Sequence, residues 1–528
     1  MQQKIILGFV LVIALIGALI LGINIGSADY EQIAIYASIG VAIYFVSYGW
    51  RNVWWFVALL IFSGAVFSQG FDFDARHLFA LMIVLASGLA FLYGHRAGPQ
   101  TLAFRQAGSK QTTILLGLLL LYAGFHFAVY YVFPYSPTDY AIKSSLKAYF
   151  QAFAPIFCCF WLLSGSYKFR LKPDWSRMLI VIIFICLLAN IAVLAVMFHL
   201  GYQNIEGVEV SPRDYMLYVP VINMQPSIYT LRNLCPVATA LVLMIATSRG
   251  WWKETGKIMR LIVLMTLPAI LVGSVYSGGR ATTIFCLAIA VFVAFARRKI
   301  HLVAVMVCMA IFVIAGVNVF SHEINTKAPL SISRSLQLVM IEKDQTSYGS
   351  VTHSQDSRNA AFKEALVQWQ ADNRVFFFGR SVYSVTQKDM LTVRYDALDE
   401  FVENAMRTGG THNLLTDLLL QYGLVGCALY LLAYLSVIRF VWRLTLTIPD
   451  SEPLAKSLAG AMKIYLPLML AYQLLGGTFL PMEVALVIGL VRALLYQSSS
   501  AVEKQPTAAI SRFNDRIQNR PPPIQASN

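Results

Sequence analysis

The chain alternates between long apolar runs and short polar connections over almost its entire length. Each run is long enough to cross about 30 Å of hydrocarbon as a helix. The pattern predicts an all-α polytopic membrane protein with about fourteen transmembrane helices. The predicted spans are 5–24, 33–49, 53–69, 78–94, 112–133, 148–167, 178–200, 228–247, 259–276, 281–296, 301–320, 412–438, 460–479 and 482–498.

The charges between the runs predict the orientation of the chain. If the N-terminus is cytoplasmic, every second connection should be rich in Lys and Arg. Those connections do carry basic clusters, as with Arg297, Arg298 and Lys299, whereas the connections between them are poorer in basic residues or carry acids, as with Asp72 and Asp74. The alternation predicts a bacterial inner-membrane protein with both termini in the cytoplasm.

One connection, 321–411, is long, polar and on the predicted periplasmic side. A loop of this length is usually functional. Within it, 356–373 has the periodicity of an amphipathic helix lying on the membrane surface, and the apolar segment 375–382 is expected to pack back onto the bundle. The apolar face of the predicted helix consists of Ala361, Phe362, Ala365, Leu366 and Trp369.

The loop divides the chain into parts. Helices 1 to 11 occupy 1–320, the periplasmic loop with its short helices is 321–411, and helices 12 to 14 occupy 412–498. The remaining segment, 499–528, is rich in Ser, Pro, Gln and Asn, which is typical of a disordered tail.

Composition excludes a soluble globular domain, because the chain is 58% hydrophobic and 13% charged with a mean hydropathy of +0.63. The net charge of +14 is dispersed in short clusters, which favours positive-inside topology and no nucleic-acid partner. All seven cysteines fall inside apolar segments, so neither a disulfide framework nor a cysteine zinc site is predicted.

Three basic residues lie at predicted helix starts on the outer side. Arg280 follows the glycine-rich turn 277–279, Arg358 falls in the first turn of the loop helix, and His412 follows the turn 409–411. A cation there opposes the helix dipole by about 0.3 to 1 kcal/mol, so the arginines are better explained by an anionic partner. Glycine-rich turns and helix N-termini offer free N–H groups to phosphate, and together these positions predict a pyrophosphate site.

The dipole also favours a neutral imidazole at His412, which is the form that a general base needs. Each residue taken singly has a simpler interpretation, since a lone interfacial Arg is more often a membrane anchor and a lone His a satisfied polar residue. Arg232 and Asp417 could line a cavity, or could be paired structurally. The eight histidines show no i, i+3 or i, i+4 spacing, so no metal site is predicted.

Thr411 to Gly426, THNLLTDLLLQYGLVG, matches His-Asn, nine residues, Gly, two residues, Gly. This pattern resembles the O-antigen ligase and O-antigen polymerase superfamily. Ser277 to Phe285, SGGRATTIF, and Asp356 to Ser381, an Arg-containing helix followed by a Gly-containing turn, are similar to two further family elements in the family's order. The resemblance covers roughly 260–440. The chain departs from the family in its larger number of spans and in the Ser–Arg spacing of SGGR.

The resemblance implies a GT-C-like architecture and a metal-independent, inverting glycosyltransferase without a cofactor. The donor would be a glycan on undecaprenyl diphosphate. His412 would activate the acceptor hydroxyl, and Arg280 and Arg358 would hold the diphosphate. Asn413, Gly279 and Arg232 would support the site.

Several functions remain open. The leading hypothesis is a ligase that transfers a preassembled glycan to a lipid A-core sugar, and the nearest alternative is an O-antigen or exopolysaccharide polymerase with a lipid-linked acceptor. Protein O-glycosylation usually needs a larger C-terminal extracytoplasmic part. A lipid-linked oligosaccharide flippase or transporter needs polar groups at mid-depth, where these spans are nearly free of charge. The sequence does not predict an oligomeric state.

Overall fold

The computed structural model describes the chain mainly from residue 101 onward. The described residues are 101–133, 146–164, 175–199, 228–248, 250–277, 280–327, 336–337, 339–341, 345–380, 413–476 and 481–496, with short stretches at 57–58, 61–62, 66–67, 73–74, 80, 204–205, 208–209, 402 and 406. The predicted tail at 499–528 and the first two predicted spans lie outside them.

The described part is almost entirely helical. Its helices in chain order are α1 Leu102–Gln106, α2 Ser109–Val132, α3 Leu146–Ser164, α4 Trp175–His199, α5 Ile228–Ala246, α6 Trp251–Glu254, α7 Lys257–Tyr276, α8 Arg280–Ala296, α9 Ile300–Val319, α10 Ser321–Lys327, α11 Gln345–Gln370, α12 Asn373–Phe378, α13 Leu414–Thr447, α14 Pro453–Gly476 and α15 482–496. Two antiparallel ladders of two residues per strand pair β1 Val66–Phe67 with β2 Phe73–Asp74 and β3 Asn204–Ile205 with β4 Val208–Glu209.

Four of the described helices are long and apolar enough to cross a membrane: Ser109–Val132, Lys257–Tyr276, Leu414–Thr447 and Pro453–Leu474. Every apolar run predicted from residue 112 onward corresponds to a described helix. The third run was predicted too long, because Val66–Phe67 is a strand and the helix cannot extend to residue 69.

Helix α13 also extends further than the apolar run that predicted it, to Thr447 rather than residue 438. Its last turns bury Phe440, Val441 and Leu444, and the ring of Phe440 lies 5.4 Å from that of Phe104 in α1. An apolar run marks the part of a helix suited to lipid, whereas the helix itself continues as long as one face finds a packing partner.

Helix α13 is the centre of the described packing. It contacts α1, α2, α11, α12 and α14, while α5 packs against α7, α8 and α14. The aromatic side chains of Tyr422, Tyr430, Tyr434 and Phe440 in α13 are fully buried. The side chains that position the candidate site therefore project from, or pack onto, this one helix.

The loop helix differs from its prediction. Helix α11 begins at Gln345 and not at residue 356, so Arg358 lies in its interior and the prediction that Arg358 occupies a first helical turn is wrong. The added turns carry no apolar stripe for a pattern search to detect, and extending an existing helix is far less costly than nucleating one. The dipole argument therefore does not apply to Arg358.

The predicted apolar face of α11 is largely confirmed. Ala361 and Ala365 are buried in a small cluster with Met406 and Leu420, and Leu366 and Trp369 pack partly buried against the main core. Phe362 is exposed and does not belong to that face, which runs through Ser357, Ala361 and Ala365 at intervals of four residues.

Candidate active site

Ser277, three residues before Arg280, forms backbone hydrogen bonds with α7 and with a side chain of α5. Ser277 caps the C-terminus of α7, and its N–H donates to the Gly273 carbonyl at 2.9 Å. From α5, Arg232 donates its Nε–H to the Ser277 carbonyl at 2.9 Å. Helix α8 begins at Arg280, as predicted. Gly279 and the side chain of Arg280 lie outside the described residues, so the contact of Arg232 is the described part of this corner.

Asn413 is the N-cap of α13. Its side-chain oxygen accepts from the N–H groups of Leu415, at 3.0 Å, and Thr416, at 3.3 Å, and its backbone is extended with φ −136° and ψ 119°. Such a cap satisfies N–H groups that have no partner within the helix. Asn413 thereby fixes the start of α13 beside His412, which itself lies outside the described residues. Asp417 is buried in the first turn of the same helix.

Helix α13 is broken at Gly423, which nine residues separate from Asn413. Gly423 has φ 67° and ψ −175°, a region that is essentially restricted to glycine. At the break, the turn after α12 crosses the helix at Gly379, whose φ is 74°. A Cβ on Gly379 would overlap the backbone of Gln421 and Tyr422, and a Cβ on Gly423 would overlap the backbone of Phe377 and Gly379. The backbone of the turn after α12 can therefore contact the backbone of α13 because residues 379 and 423 are both glycine.

Groups from two other segments of the chain hydrogen-bond the backbone of α13 just before the break. The Leu420 carbonyl accepts from the Arg380 N–H at 3.0 Å. The Tyr122 hydroxyl, from α2, donates to the Tyr422 carbonyl at 2.6 Å, and the ring of Tyr122 lies against Gly426. A Cβ on Gly426 would collide with the Tyr122 ring. The second glycine of the motif thus makes room for the side chain that bridges the break.

Helix α2 also binds the crossing turn directly. His126 Nε2 hydrogen-bonds the Phe378 carbonyl, and Tyr130 donates its hydroxyl hydrogen to the Gly379 carbonyl. Because a carbonyl only accepts, Nε2 carries the proton, and Nδ1 accepts from the Tyr149 hydroxyl of α3. His126 is buried. The two carbonyls of the turn are therefore fixed by side chains from α2.

The turn is tied to α11 as well. Trp369 of α11 donates its Nε1–H to the Phe376 carbonyl at 2.9 Å, and the two rings stack at 4.6 Å. The buried Arg380 donates from Nη1 to Gln368 Oε1 at 2.9 Å. The contacts of the same segment with α2 and α13 confirm, for the described residues up to 380, the prediction that the apolar segment after the loop helix packs onto the bundle.

The sequence reasoning missed Tyr122, His126 and Tyr130. They recur at intervals of four in an otherwise apolar helix, which places them on one face. The signal that could have found them is the recurrence of polar aromatic residues at helical spacing in an apolar run. Within the described ranges, no group of three or more His, Cys, Asp or Glu side chains could hold a metal ion.

A comparison with protein families finds a match to the O-antigen ligase family model over residues 261–431. No curated protein matches the chain. The matched stretch begins in α7, contains Arg280, the loop helix, the Gly379 turn and Asn413, and ends in α13. It contains neither Arg232 nor the α2 side chains that bind the turn.

This match, together with the apolar helices, identifies a membrane protein whose family implies a glycosyltransferase-like enzyme of polysaccharide biosynthesis. The match over residues 261–431 supports membership of the chain in the O-antigen ligase superfamily.

Proposed function

We propose that the protein is a glycosyltransferase that moves a preassembled glycan from undecaprenyl diphosphate to an acceptor sugar at the periplasmic face, with lipid A-core as the acceptor. The observation that carries the proposal is the family match over 261–431. It is supported by the packing of α11, which bears Arg358, on the segment of α13 that Asn413 caps.

In the proposed reaction, His412 accepts the proton of the acceptor hydroxyl. The hydroxyl oxygen attacks the anomeric carbon of the donor glycan, and the bond from that carbon to the diphosphate oxygen breaks with inversion. The undecaprenyl diphosphate leaves with the bonding electron pair. A positioned base and preorganised cations are the usual means of lowering such a barrier.

Arg280 and Arg358 would hold the diphosphate. Arginine suits this role because its planar fork pairs two phosphate oxygens at once. Since Arg358 lies inside α11, its contribution would come from the guanidinium alone. At Arg280 the first turn of α8 and the glycine before it, Gly279, would add N–H donors, and Arg232 would support the turn through Ser277.

A polymerase with a lipid-linked glycan as acceptor is the second candidate. The same base and cations would serve it, because only the acceptor differs. The larger number of predicted spans than in the usual ligase favours this candidate.

The test is glycan profiling of a deletion strain that carries wild type, His412→Ala or the control His322→Ala, whose side chain is exposed on α10. The ligase proposal expects loss of capped lipid A-core, with polymer retained on the lipid carrier, in His412→Ala alone. Core with a single repeat, or loss of exopolysaccharide with normal core, would instead identify a polymerase. Wild-type profiles with His412→Ala would refute both.

The same protein, purified in lipid nanodiscs, tests the metal-free part of the proposal. With two arginines to neutralise the leaving diphosphate, transfer should continue at the full rate in EDTA. Loss of activity in EDTA that added divalent ions restore would contradict it.

A further inference from the structure

We propose that Tyr122 and His126 of α2 are positioning residues for the transfer reaction, which hold the loop helices and the His412 end of α13 in one arrangement. The inference rests on the proposed function. It concerns a helix outside the matched family segment, 261–431.

The first step of the argument is the contact of Tyr122 at the break. Its hydroxyl donates to the Tyr422 carbonyl and its ring lies against Gly426, and these two residues lie on opposite sides of Gly423. Buried backbone N–H and C=O groups need hydrogen-bond partners, and inside a membrane no water is available to provide them. Tyr122 therefore holds the part of α13 before the break against the part after it, through its hydroxyl on one side and its ring on the other. The part before the break leads to Asn413.

The second step is the contact of His126 with the crossing turn. His126 lies between the Tyr149 hydroxyl and the Phe378 carbonyl, so it connects α3 with the end of α12. Tyr130 binds the next carbonyl, that of Gly379. Because Gly379 is in contact with the backbone of α13 at Gln421 and Tyr422, fixing this turn also fixes α13.

The third step connects the clamp from α2, formed by Tyr122, His126 and Tyr130, with the proposed chemistry. The turn is joined to α11 by Trp369 and Arg380, and α11 carries Arg358. The first turns of α13, ahead of the break, carry Asn413 next to His412. These contacts thus connect the helix that carries Arg358 with the helix that Asn413 caps. A misplacement of reacting groups by about 1 Å costs on the order of a hundredfold in rate.

The experiment compares Tyr122→Phe, His126→Phe and His126→Gln with wild type and with the control Tyr131→Phe, an exposed residue of the same helix. Full-length protein in nanodiscs is assayed for kcat and KM with a lipid-linked glycan donor, and for hydrogen exchange at 377–380 and 420–426. Tyr122→Phe and His126→Phe should lower kcat by about tenfold with KM within about twofold, and should raise exchange in both segments. His126→Gln keeps an N–H donor for the Phe378 carbonyl and should restore most of kcat.

The outcomes separate the inference from the proposed function. If the wild type transfers glycan and both Phe variants match it, the positioning role is wrong. It is also wrong if kcat falls only in proportion to the folded fraction, or if His126→Gln and His126→Phe lose equally. If the wild type transfers no glycan, the proposed function fails, and the positioning role fails with it.

Discussion

At the residue scale, Gly379 and Gly423 have backbone conformations that other residues rarely adopt. Both also lack space for a Cβ, because each faces backbone atoms of the other segment. Backbone atoms cannot move aside as a flexible side chain can. The two glycines are therefore required by the crossing itself.

We expect Gly379→Ala and Gly423→Ala each to lower the free energy of unfolding by about 1 to 3 kcal/mol from backbone strain alone, and to lower activity further by separating the two segments. Thermal denaturation in detergent measures the effect on stability. Gly124→Ala in α2 is the control, because a Cβ there meets nothing within 4 Å. Equal stability of all three variants would show that the crossing is not required.

Arg358 is a second residue whose chemistry can be tested alone. Arg358→Lys keeps the positive charge but loses the two-pronged pairing with phosphate. We expect kcat to fall by about tenfold or more, equivalent to ~1.4 kcal/mol, with the folded fraction unchanged. Lys363→Ala, an exposed position on the same helix, should retain wild-type turnover. Near wild-type turnover in Arg358→Lys would contradict the proposal that Arg358 binds the diphosphate.

At the scale of one element, the start of α13 is set by its cap. Asn413 accepts two hydrogen bonds from the first turn, and in the sequence it directly follows His412, the proposed base. The capping role and a role in binding substrate both fit an asparagine. They differ in which replacements they tolerate.

Asn413→Ala should lower the free energy of unfolding by about 1 kcal/mol and reduce kcat, because serine and asparagine cap helices well and alanine does not. Asn413→Ser should restore both quantities if capping is the role. Thermal denaturation and kcat, measured on the same preparations, provide the test. Restored stability without restored kcat would mean that the amide contacts substrate.

At the scale of the whole molecule, the described helices agree with the apolar runs, whereas the side of the membrane on which each connection lies is still a prediction from charge. The proposed reaction requires the loop at 321–411 to be periplasmic. Ile341 in this loop is 87% exposed, and Lys257 begins α7 on the opposite predicted side.

A single cysteine at Ile341 should react with a membrane-impermeant maleimide in intact spheroplasts, in a background without native cysteines. A single cysteine at Lys257 should react only after the membrane is opened. The readout is the mass shift of the labelled protein. The reverse pattern would invert the topology and place the candidate site in the cytoplasm.

The sequence by itself determined the long apolar helices that follow residue 101, the start of α8 at Arg280 and the order of the family motifs. Such features depend on local periodicity and on residues close together in the chain. Tertiary structure decided the break at Gly423, the crossing at Gly379 and the clamp from α2. Tyr122 and Tyr422 are 300 residues apart, and His126 and Phe378 are 252 apart. Contacts at these separations depend on how helices pack, so no local pattern encodes them.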